Sequence, residues 1–384
     1  MIRYLDGNRV TLLQSGAEYF PALERSIEQA RSEIYLETYI FADDRTGRSI
    51  AAALCRAAQR GVRVHVLLDG FGTKDMAVPL RQSMLDAGVD LLVYRRKISP
   101  LTLRRHRLRR MHRKIAVVDG YIAFVGGINV IDDTNTPGEV PPRYDFAVQI
   151  EGPLLAPIHY EVTRLWRWVA LANHRRWRQA ARTEIDSSTK GTQRAALLVR
   201  DNIRHRTDIE EAYLEAIESA RGEIIIANAY FLPGLRFRRA LGRAAGRGVR
   251  VVLLLQGRVE YMLLHYASRA LYGTLLDAGV EIHEYHESFL HSKVAVIDGH
   301  WATVGSSNID PFSLTLAREA NIVVLDAAFS GELRTSLRKA MQTGTVQVAQ
   351  PSWKRQALWR KVPIWLAYSA VRVLLGMVGY VEQH

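Results

Sequence analysis

The stretch HRKIAVVDGYIAFVGGIN, residues 112–129, joins a histidine and a lysine to a long apolar run. Two alternating apolar segments flank an Asp-Gly pair, which is the strongest short-range signal for a β-hairpin with a two-residue turn. Side chains two positions apart lie on the same face of a strand, so His112 and Lys114 share a face. A hairpin that belongs to the core therefore begins with two cationic residues, and this needs a functional explanation.

The same pattern recurs as HSKVAVIDGHWATVGSSN, residues 291–308, and other segments repeat with it in the same order. Residues 22–41 resemble residues 211–231, the pentapeptide RGVRV follows in both copies, and LDAGVDLLVY at 85 matches LDAGVEIHEY at 276. Four ordered matches argue strongly against chance. The order helix, strand, helix, strand, hairpin predicts an α/β fold of two repeated halves, each a mixed β-sheet flanked by helices.

The boundaries of the halves follow from composition. The polar stretch TEIDSSTKGTQ, residues 183–193, separates the copies. We therefore predict a first half at residues 1–188 and a second half at 189–348. Residues 349–384 match neither copy and form a tail of their own.

Composition limits the classes of partner. The chain has 384 residues and 48% hydrophobic content, enough for about two domains with a real core. Its net charge of +13 favours a polyanionic partner, either nucleic acid or an anionic membrane surface. The single cysteine, Cys55, excludes a disulfide within the chain, and the first residues lack the apolar core of a signal peptide. We expect the catalytic part to face the cytoplasm.

The two Asp-Gly pairs, at 119–120 and 298–299, predict the hairpin register. If each forms a two-residue loop, His112 lies opposite Gly127 and His291 opposite Ser306. An asparagine follows each hairpin, so both copies present histidine, lysine and asparagine at an open strand end. The candidate site residues are His112, Lys114, Asn129, His291, Lys293 and Asn308.

This set of residues suits a phosphoryl group better than a metal ion. A lysine two residues from a histidine opposes a bound cation, whereas lysine and asparagine donors stabilise phosphate oxygens and leave histidines for nucleophilic and acid–base catalysis. We expect no metal and no cofactor. The alternative is a polar strand edge that only maintains solubility, and recurrence in both copies argues against it.

The motifs HRKIAVVDG with GGIN and HSKVAVIDG with GSSN resemble the two HxK(x)4D motifs of the phospholipase D superfamily. The resemblance covers about residues 10–345 and is strongest to bacterial cardiolipin synthases, with ETYIF at 37 and NIDPFSL at 308 in support. It implies two phospholipase D-like halves with the active site at their interface. It also implies that His112 attacks a phosphodiester to form a phosphohistidine, while His291 is the general acid and base. Phosphate oxygens would be bound by Lys114, Asn129, Lys293 and Asn308.

The resemblance further implies an acidic residue that orients each histidine. Asp145 in PRYDFAVQI and Glu319 in LAREANIVV match those places, and an ordinary surface carboxylate is the alternative for both. The motif aspartates, Asp119 and Asp298, are counted with the catalytic motif but are interpreted as turn-forming residues.

The hairpin ends differ in one residue. The first copy has Gly127 where the second has Ser306, so a hydroxyl that could bind substrate phosphate or orient a side chain is present only once. We therefore expect an asymmetric site.

The tail and two basic stretches bear on the substrate. From Val362 to Val381 the only charge is Arg372, and tryptophans and basic residues precede this run. An interfacial helix is favoured; the alternatives are a helix packed on the domains or a membrane span, which Arg372 disfavours. The basic stretches, residues 104–114 and 174–182, fit anionic headgroups, a nucleic-acid backbone or a solvated loop.

The apolar tail on a cationic chain favours an anionic phospholipid, and the resemblance then implies a cardiolipin synthase that joins two phosphatidylglycerol molecules and releases glycerol. It would be peripheral or monotopic at the cell inner membrane, and a nucleic-acid partner is disfavoured. The alternatives are a phospholipase D-type hydrolase that uses water on phospholipid or nucleic acid, and a silent binding module, which the intact motifs disfavour.

Overall fold

A computed structural model describes residues 2–95, 109–136, 142–174, 183–201, 204–355 and 358–377. Most of the two basic stretches, at residues 104–108 and 175–182, therefore lies outside the described residues.

The first half consists of seven strands of the main sheet, one short strand and four helices among the described residues. They are β1 (Leu5–Gln14), α1 (Ser15–Gln29), β2 (Glu33–Thr38), α2 (Arg45–Gln59), β3 (Arg63–Asp69), α3 (Val78–Asp86), β4 (Asp90–Tyr94), β5 (Lys114–Val118), β6 (Ile122–Gly126), β7 (Arg143–Tyr144), β8 (Phe146–Glu151) and α4 (Leu155–Ala172).

The second half repeats the order of the main-sheet strands and adds one strand, two short helices and the tail helices. Its elements are β9 (Gln193–Arg200), α5 (Asp208–Ser219), β10 (Glu223–Asn228), α6 (Leu235–Gly246), β11 (Arg250–Gln256), α7 (Met262–Arg269), α8 (Tyr272–Asp277), β12 (Glu281–Tyr285), β13 (Phe289–Leu290), β14 (Lys293–Ile297), β15 (Trp301–Gly305), α9 (Pro311–Thr315), β16 (Glu319–Leu325), α10 (Ala327–Gly344), β17 (Thr345–Gln347), α11 (Gln350–Lys354) and α12 (Leu358–Met377).

The halves share one 15-stranded sheet, ordered β17-β12-β11-β10-β14-β15-β16-β9-β1-β8-β6-β5-β2-β3-β4. Read outward from the central β9–β1 pair, the strands of one half correspond to those of the other one by one. Strands β2, β3 and β4 pair in parallel, as do β10, β11 and β12, and the remaining pairs are antiparallel. The predicted α/β class with mixed sheets and flanking helices is confirmed.

Strand alternation explains how the sheet is covered on both faces. In β5, Ile115 and Val117 join a core cluster that includes α4 and α10, while Ala116 and Val118 join the cluster formed with α1 and α2. Both faces of the strand are thus buried, which is typical of strands that run as continuous apolar segments between helical layers. Only the strand ends are left for chemistry.

The predicted hairpin register is wrong by one residue. Lys114 pairs with Gly126 and Val118 with Ile122, and the second hairpin has the same offset, so each loop contains three residues. Asp119 and Gly120 do have the positive φ angles of an Asp-Gly turn, but Tyr121 stays outside the ladder. The predicted pairs of His112 with Gly127 and His291 with Ser306 therefore do not form.

The tail packs against the second half. Helix α12 lies along α7 and buries Ile364, Ala367 and Val371 in the core cluster of that half. Trp353 of α11 is buried beside Tyr272, with 5.1 Å between ring centroids. One face of α12 thus packs on the protein, as the packed-helix alternative predicts. Within the described ranges no helix has the length and apolar character needed to cross a membrane.

Candidate active site

Each histidine is placed by the opposite half of the molecule. The backbone N–H of His112 donates to the carbonyl of Arg318 (2.9 Å), and Met111 forms a parallel bridge with Arg318. In the same way His291 donates to the carbonyl of Tyr144 (2.9 Å), next to the parallel pairing of β13 with β7. These exchanges bring both motif histidines to the interface between the halves.

The predicted acidic residues contact the histidines across this interface. Nδ1 of His112 lies 3.0 Å from Oε1 of Glu319, and Nδ1 of His291 lies 2.6 Å from Oδ2 of Asp145. Both carboxylates are buried, so the alternative of ordinary surface carboxylates does not hold. A carboxylate at Nδ1 fixes the ring orientation and directs Nε2 to substrate, as in catalytic triads.

The two motif lysines lie buried beside the histidines. Nζ of Lys114 donates to the carbonyl of His112, and Nζ of Lys293 donates to the carbonyl of His291. Nζ of Lys293 also lies 3.0 Å from Nδ1 of His291. Each ammonium group has three N–H donors, so both lysines keep a donor for another acceptor. Two ammonium groups facing two histidine–carboxylate pairs form a site suited to a phosphate anion.

Burial sets the protonation states. It lowers the pKa of Lys114 to about 7 and also lowers the pKa of Lys293, because an isolated charge is disfavoured away from water. Burial likewise lowers the pKa of His112, and for His291 the cations Lys293 and Arg143 lower it further. The pKa of Asp145 is raised by burial to about 6. These shifts favour neutral imidazoles, the form that a nucleophile requires.

The two asparagines have different surroundings. Oδ1 of Asn129 accepts a hydrogen bond from the backbone of Ile40 (3.1 Å). Oδ1 of Asn308 is buried and, among the described residues, has no hydrogen-bond partner. A buried amide oxygen without a partner needs a donor, such as a water molecule or a hydroxyl group of a ligand, which fits a residue at a substrate site.

The structure explains the difference between Gly127 and Ser306. The Ser306 hydroxyl donates to Oε2 of Glu319 (2.5 Å) and accepts from the backbone N–H of Ala320 (3.0 Å). At Gly127 a Cβ atom would lie 2.3 Å from Oδ1 of Asp145, so the glycine makes room for that carboxylate. Both residues therefore lie against the orienting acids, which agrees with the alternative that this position orients a side chain.

The motif aspartates lie at the other end of the hairpins. The Asp119 carboxylate accepts from the backbone N–H groups of residues 31–33, and Asp298 accepts from those of residues 221–223. Each aspartate ties its turn to the start of the neighbouring strand. Their inclusion with the catalytic residues is corrected, and their interpretation as turn-forming residues agrees with the structure.

Sequence reasoning missed a buried ion pair below the site. Arg113 lies between His112 and Lys114, so its side chain takes the opposite direction. It donates to the Glu37 carboxylate and to the carbonyl of Glu161, and it is 2% exposed. The signal was the charged pair formed by Arg113 and the glutamate of ETYIF, both inside apolar strand patterns. The second half has no such pair, since Ser292 occupies the matching position.

The ring of Tyr39 also contacts the site. Its centroid lies 4.9 Å from that of the His112 imidazole, edge to face, and Nζ of Lys114 is 5.4 Å from the same ring. An aromatic face stabilises a nearby cation and excludes water, so Tyr39 limits the freedom of both motif residues.

Comparison with known proteins agrees with this geometry. Residues 23–153 and 213–341 match the family described as "Cardiolipin synthase, PLD-like domain". The chain belongs to this family. The prediction of an enzyme of the phospholipase D superfamily is thereby confirmed.

Relatives of similar length carry related names. "Cardiolipin synthase B" of Salmonella typhi is 40% identical over 380 residues, covering 99% of this chain and 91% of that protein. The protein of the same name from Escherichia coli (strain K12) is 39% identical with the same coverage. The crystal structure of phosphatidylserine synthase from Haemophilus influenzae Rd KW20 superposes with a TM-score of 0.69 over 98% of this chain and 97% of that one. At 14% identity this likeness shows the fold alone.

Proposed function

We propose that the protein is a cardiolipin synthase that transfers a phosphatidyl group from one phosphatidylglycerol to another and releases glycerol. The observation that carries this proposal is the pair of histidines, each oriented by a buried carboxylate of the opposite half and flanked by buried lysines. The names of relatives at about 40% identity over nearly the whole chain support the choice of substrate class.

In the first step, Nε2 of His112 attacks the phosphorus of the first phosphatidylglycerol. The bond between phosphorus and the glycerol oxygen breaks, and His291 gives its proton to that oxygen, so glycerol leaves. A phosphatidyl group is then bound to His112 through a P–N bond. Lys114 and Lys293, with Asn129 and Asn308, stabilise the charge on the non-bridging oxygens.

In the second step, neutral His291 takes a proton from a hydroxyl of the second phosphatidylglycerol. The oxygen attacks phosphorus, the P–N bond breaks, and cardiolipin forms while His112 returns to its initial state. His291 needs a proton for the first step, although burial and the neighbouring cations hold its pKa well below the usual value. The phosphodiester anion supplies the negative charge that raises this pKa, and Asp145 stabilises the resulting imidazolium.

The direct test uses purified protein, phosphatidylglycerol vesicles and EDTA, with lipid products resolved by mass. We expect cardiolipin and an equal amount of glycerol. Phosphatidic acid as the main product would instead establish the hydrolase, since water would then be the acceptor. Cleavage of single-stranded DNA without any lipid turnover would refute a lipid substrate.

We further propose that the enzyme works at the inner membrane surface as a peripheral or monotopic protein, with both halves facing the cytoplasm. The outer face of α12 supports this, because Val362, Trp365, Leu366 and Val373 are exposed at helical spacing opposite the buried residues of the same helix. Met262 of α7, against which α12 packs, is exposed as well. A tryptophan-containing apolar face on a cationic protein fits an anionic lipid interface.

Deleting the tail would uncover the core that Ile364 and Val371 cover, so point variants give a sharper test. Trp365→Glu with Leu366→Glu changes side chains that are 57% and 65% exposed and should move the protein from sedimented vesicles to the supernatant. Val78→Glu is the matched control, at an exposed residue of α3. Equal sedimentation of all three proteins would contradict the proposed surface.

A further inference from the structure

A cavity of about 320 Å³ opens between the two halves, away from the motif histidines. Helix α4 of the first half forms one side, and residues next to β9 and β16 of the second half form the other. Its main lining residues are Tyr160, Arg164, Trp168, Asp201, Arg204 and Arg318. Its volume lies at the lower end of the range typical of small-molecule sites.

The charged residues of the cavity favour an anion. Three arginines face one aspartate, and Nη2 of Arg164 lies 3.6 Å from Oδ2 of Asp201, so two of the three positive charges are not balanced by this carboxylate. Arg204 is exposed at the entrance. Guanidinium groups bind phosphate oxygens in a planar, two-pronged arrangement, which makes arginine the preferred residue for this class of ligand.

Arg318 gives an independent indication of a ligand. The residue is only 9% exposed, and its Nε atom is buried without a hydrogen-bond partner among the described residues. The guanidinium group contacts the Tyr94 side chain, but its buried Nε donor is left unsatisfied, which is unfavourable. An acceptor that enters the cavity would satisfy it.

The walls of the cavity are aromatic. Trp168 is 55% exposed and Tyr160 is 61% exposed, although both belong to a helix whose other face is buried in the core. Exposed aromatic rings beside arginines are typical of sites for ligands with a polar end and an apolar portion.

The cavity is distinct from the active site. Arg318 and Glu319 are successive residues at the start of β16, and side chains of successive residues in extended chain point to opposite sides. Glu319 contacts His112, whereas Arg318 lines the cavity. A ligand in the cavity would therefore lie behind the strand that supplies the orienting carboxylate.

We propose that this cavity is a second ligand site, which binds the headgroup of an acidic phospholipid. The phosphate contacts Arg318 and Arg204, and the glycerol backbone with the first part of the acyl chains lies along Trp168 and Tyr160. The site does not take part in phosphatidyl transfer, so the proposal stands apart from the proposed reaction.

The test follows Trp168 in the full-length protein. Protein containing 5-fluorotryptophan is studied by ¹⁹F NMR, and Trp168→Phe assigns the resonance. The ligands are dihexanoylphosphatidic acid, glycerol 3-phosphate and inorganic phosphate; as phosphomonoesters or free phosphate, none of them is a phosphodiester substrate. We expect a saturable shift of the Trp168 resonance, with the lipid binding at least tenfold more tightly than inorganic phosphate.

Two variants complete the experiment. Arg204→Glu should weaken binding of the lipid at least tenfold, whereas Arg206→Glu, an equal charge change at an exposed residue outside the cavity lining, should change it less than twofold. His112→Ala should leave the titration unchanged, which separates this site from the reaction. No saturable shift, equal binding of inorganic phosphate, or equal effects of the two arginine variants would overturn the proposal.

Discussion

Gly127→Ala tests how closely the histidine–carboxylate pairs must be held. The added Cβ would lie 2.3 Å from Oδ1 and 2.8 Å from Cγ of Asp145, whereas carbon atoms at their best separation are about 3.5–4.0 Å apart. The carboxylate must therefore move by roughly 1 Å, away from a 2.6 Å contact with His291. A displacement of this size at a catalytic group costs about 100-fold in rate, equivalent to about 2.7 kcal/mol in activation free energy.

The assay is the initial rate of cardiolipin formation, measured together with the thermal unfolding midpoint. Overpacking is expected to lower the free energy of unfolding by about 1–3 kcal/mol, so the variant should still be folded at the assay temperature. Gly331→Ala is the matched control, because a Cβ at this position of α10 meets no atom within 4 Å and the change should leave activity within about twofold. A rate for Gly127→Ala within threefold of wild type would refute the reasoning that Asp145 has no freedom to move.

Three further predictions concern charge. Because burial lowers the pKa of Lys114 to about 7, the ammonium group loses its proton as pH rises through that value, and kcat/KM should fall above about pH 7. In Lys114→Arg the charge persists, so the fall in kcat/KM should move to higher pH. An unchanged pH profile in this variant would exclude Lys114 as the group responsible for the fall. Arg113→Ala leaves Glu37 buried and unpaired and should lower the free energy of unfolding by about 3–5 kcal/mol, as measured by denaturant unfolding. Ser292→Ala, at the matching position of the second half, should lower it by about 1 kcal/mol. Equal losses in the two variants would contradict the reasoning that only the first half depends on a buried ion pair. Asp119→Ala removes the acceptor of three backbone N–H groups and should lower the thermal unfolding midpoint, while kcat stays within about threefold of wild type. A folded variant with a 100-fold lower kcat would show that Asp119 is a catalytic residue.

The sequence contained most of the fold because the repeat and the period-two alternation are local signals. Lys114 and Lys293 were located from their strand pattern, and Asp145 and Glu319 from family resemblance. Which carboxylate orients which histidine could not be obtained in this way. Each histidine is placed beside a carboxylate of the opposite half because its backbone N–H donates to Arg318 or Tyr144 of that half. No local sequence pattern encodes these two contacts.

The failures have equally specific causes. The predicted hairpin register was wrong because the Asp-Gly pair identifies the turn but does not show whether Tyr121 pairs with the opposite strand. For the tail, apolar content alone does not show that one face of the helix packs on the protein. Ile364 and Val371 recur on one face and pack on the protein, while Trp365 lies on the other.

The most direct measurement of the central claim is to trap the covalent intermediate. Turnover of phosphatidylglycerol by the wild-type protein is quenched at early times under alkaline conditions, which preserve a P–N bond, and peptides are analysed by mass spectrometry. The account predicts a phosphatidyl adduct on the peptide that contains His112 and its absence in His112→Ala. An adduct on His291 in the wild-type protein with His112 unmodified, or cardiolipin formation without any histidine adduct, would contradict it.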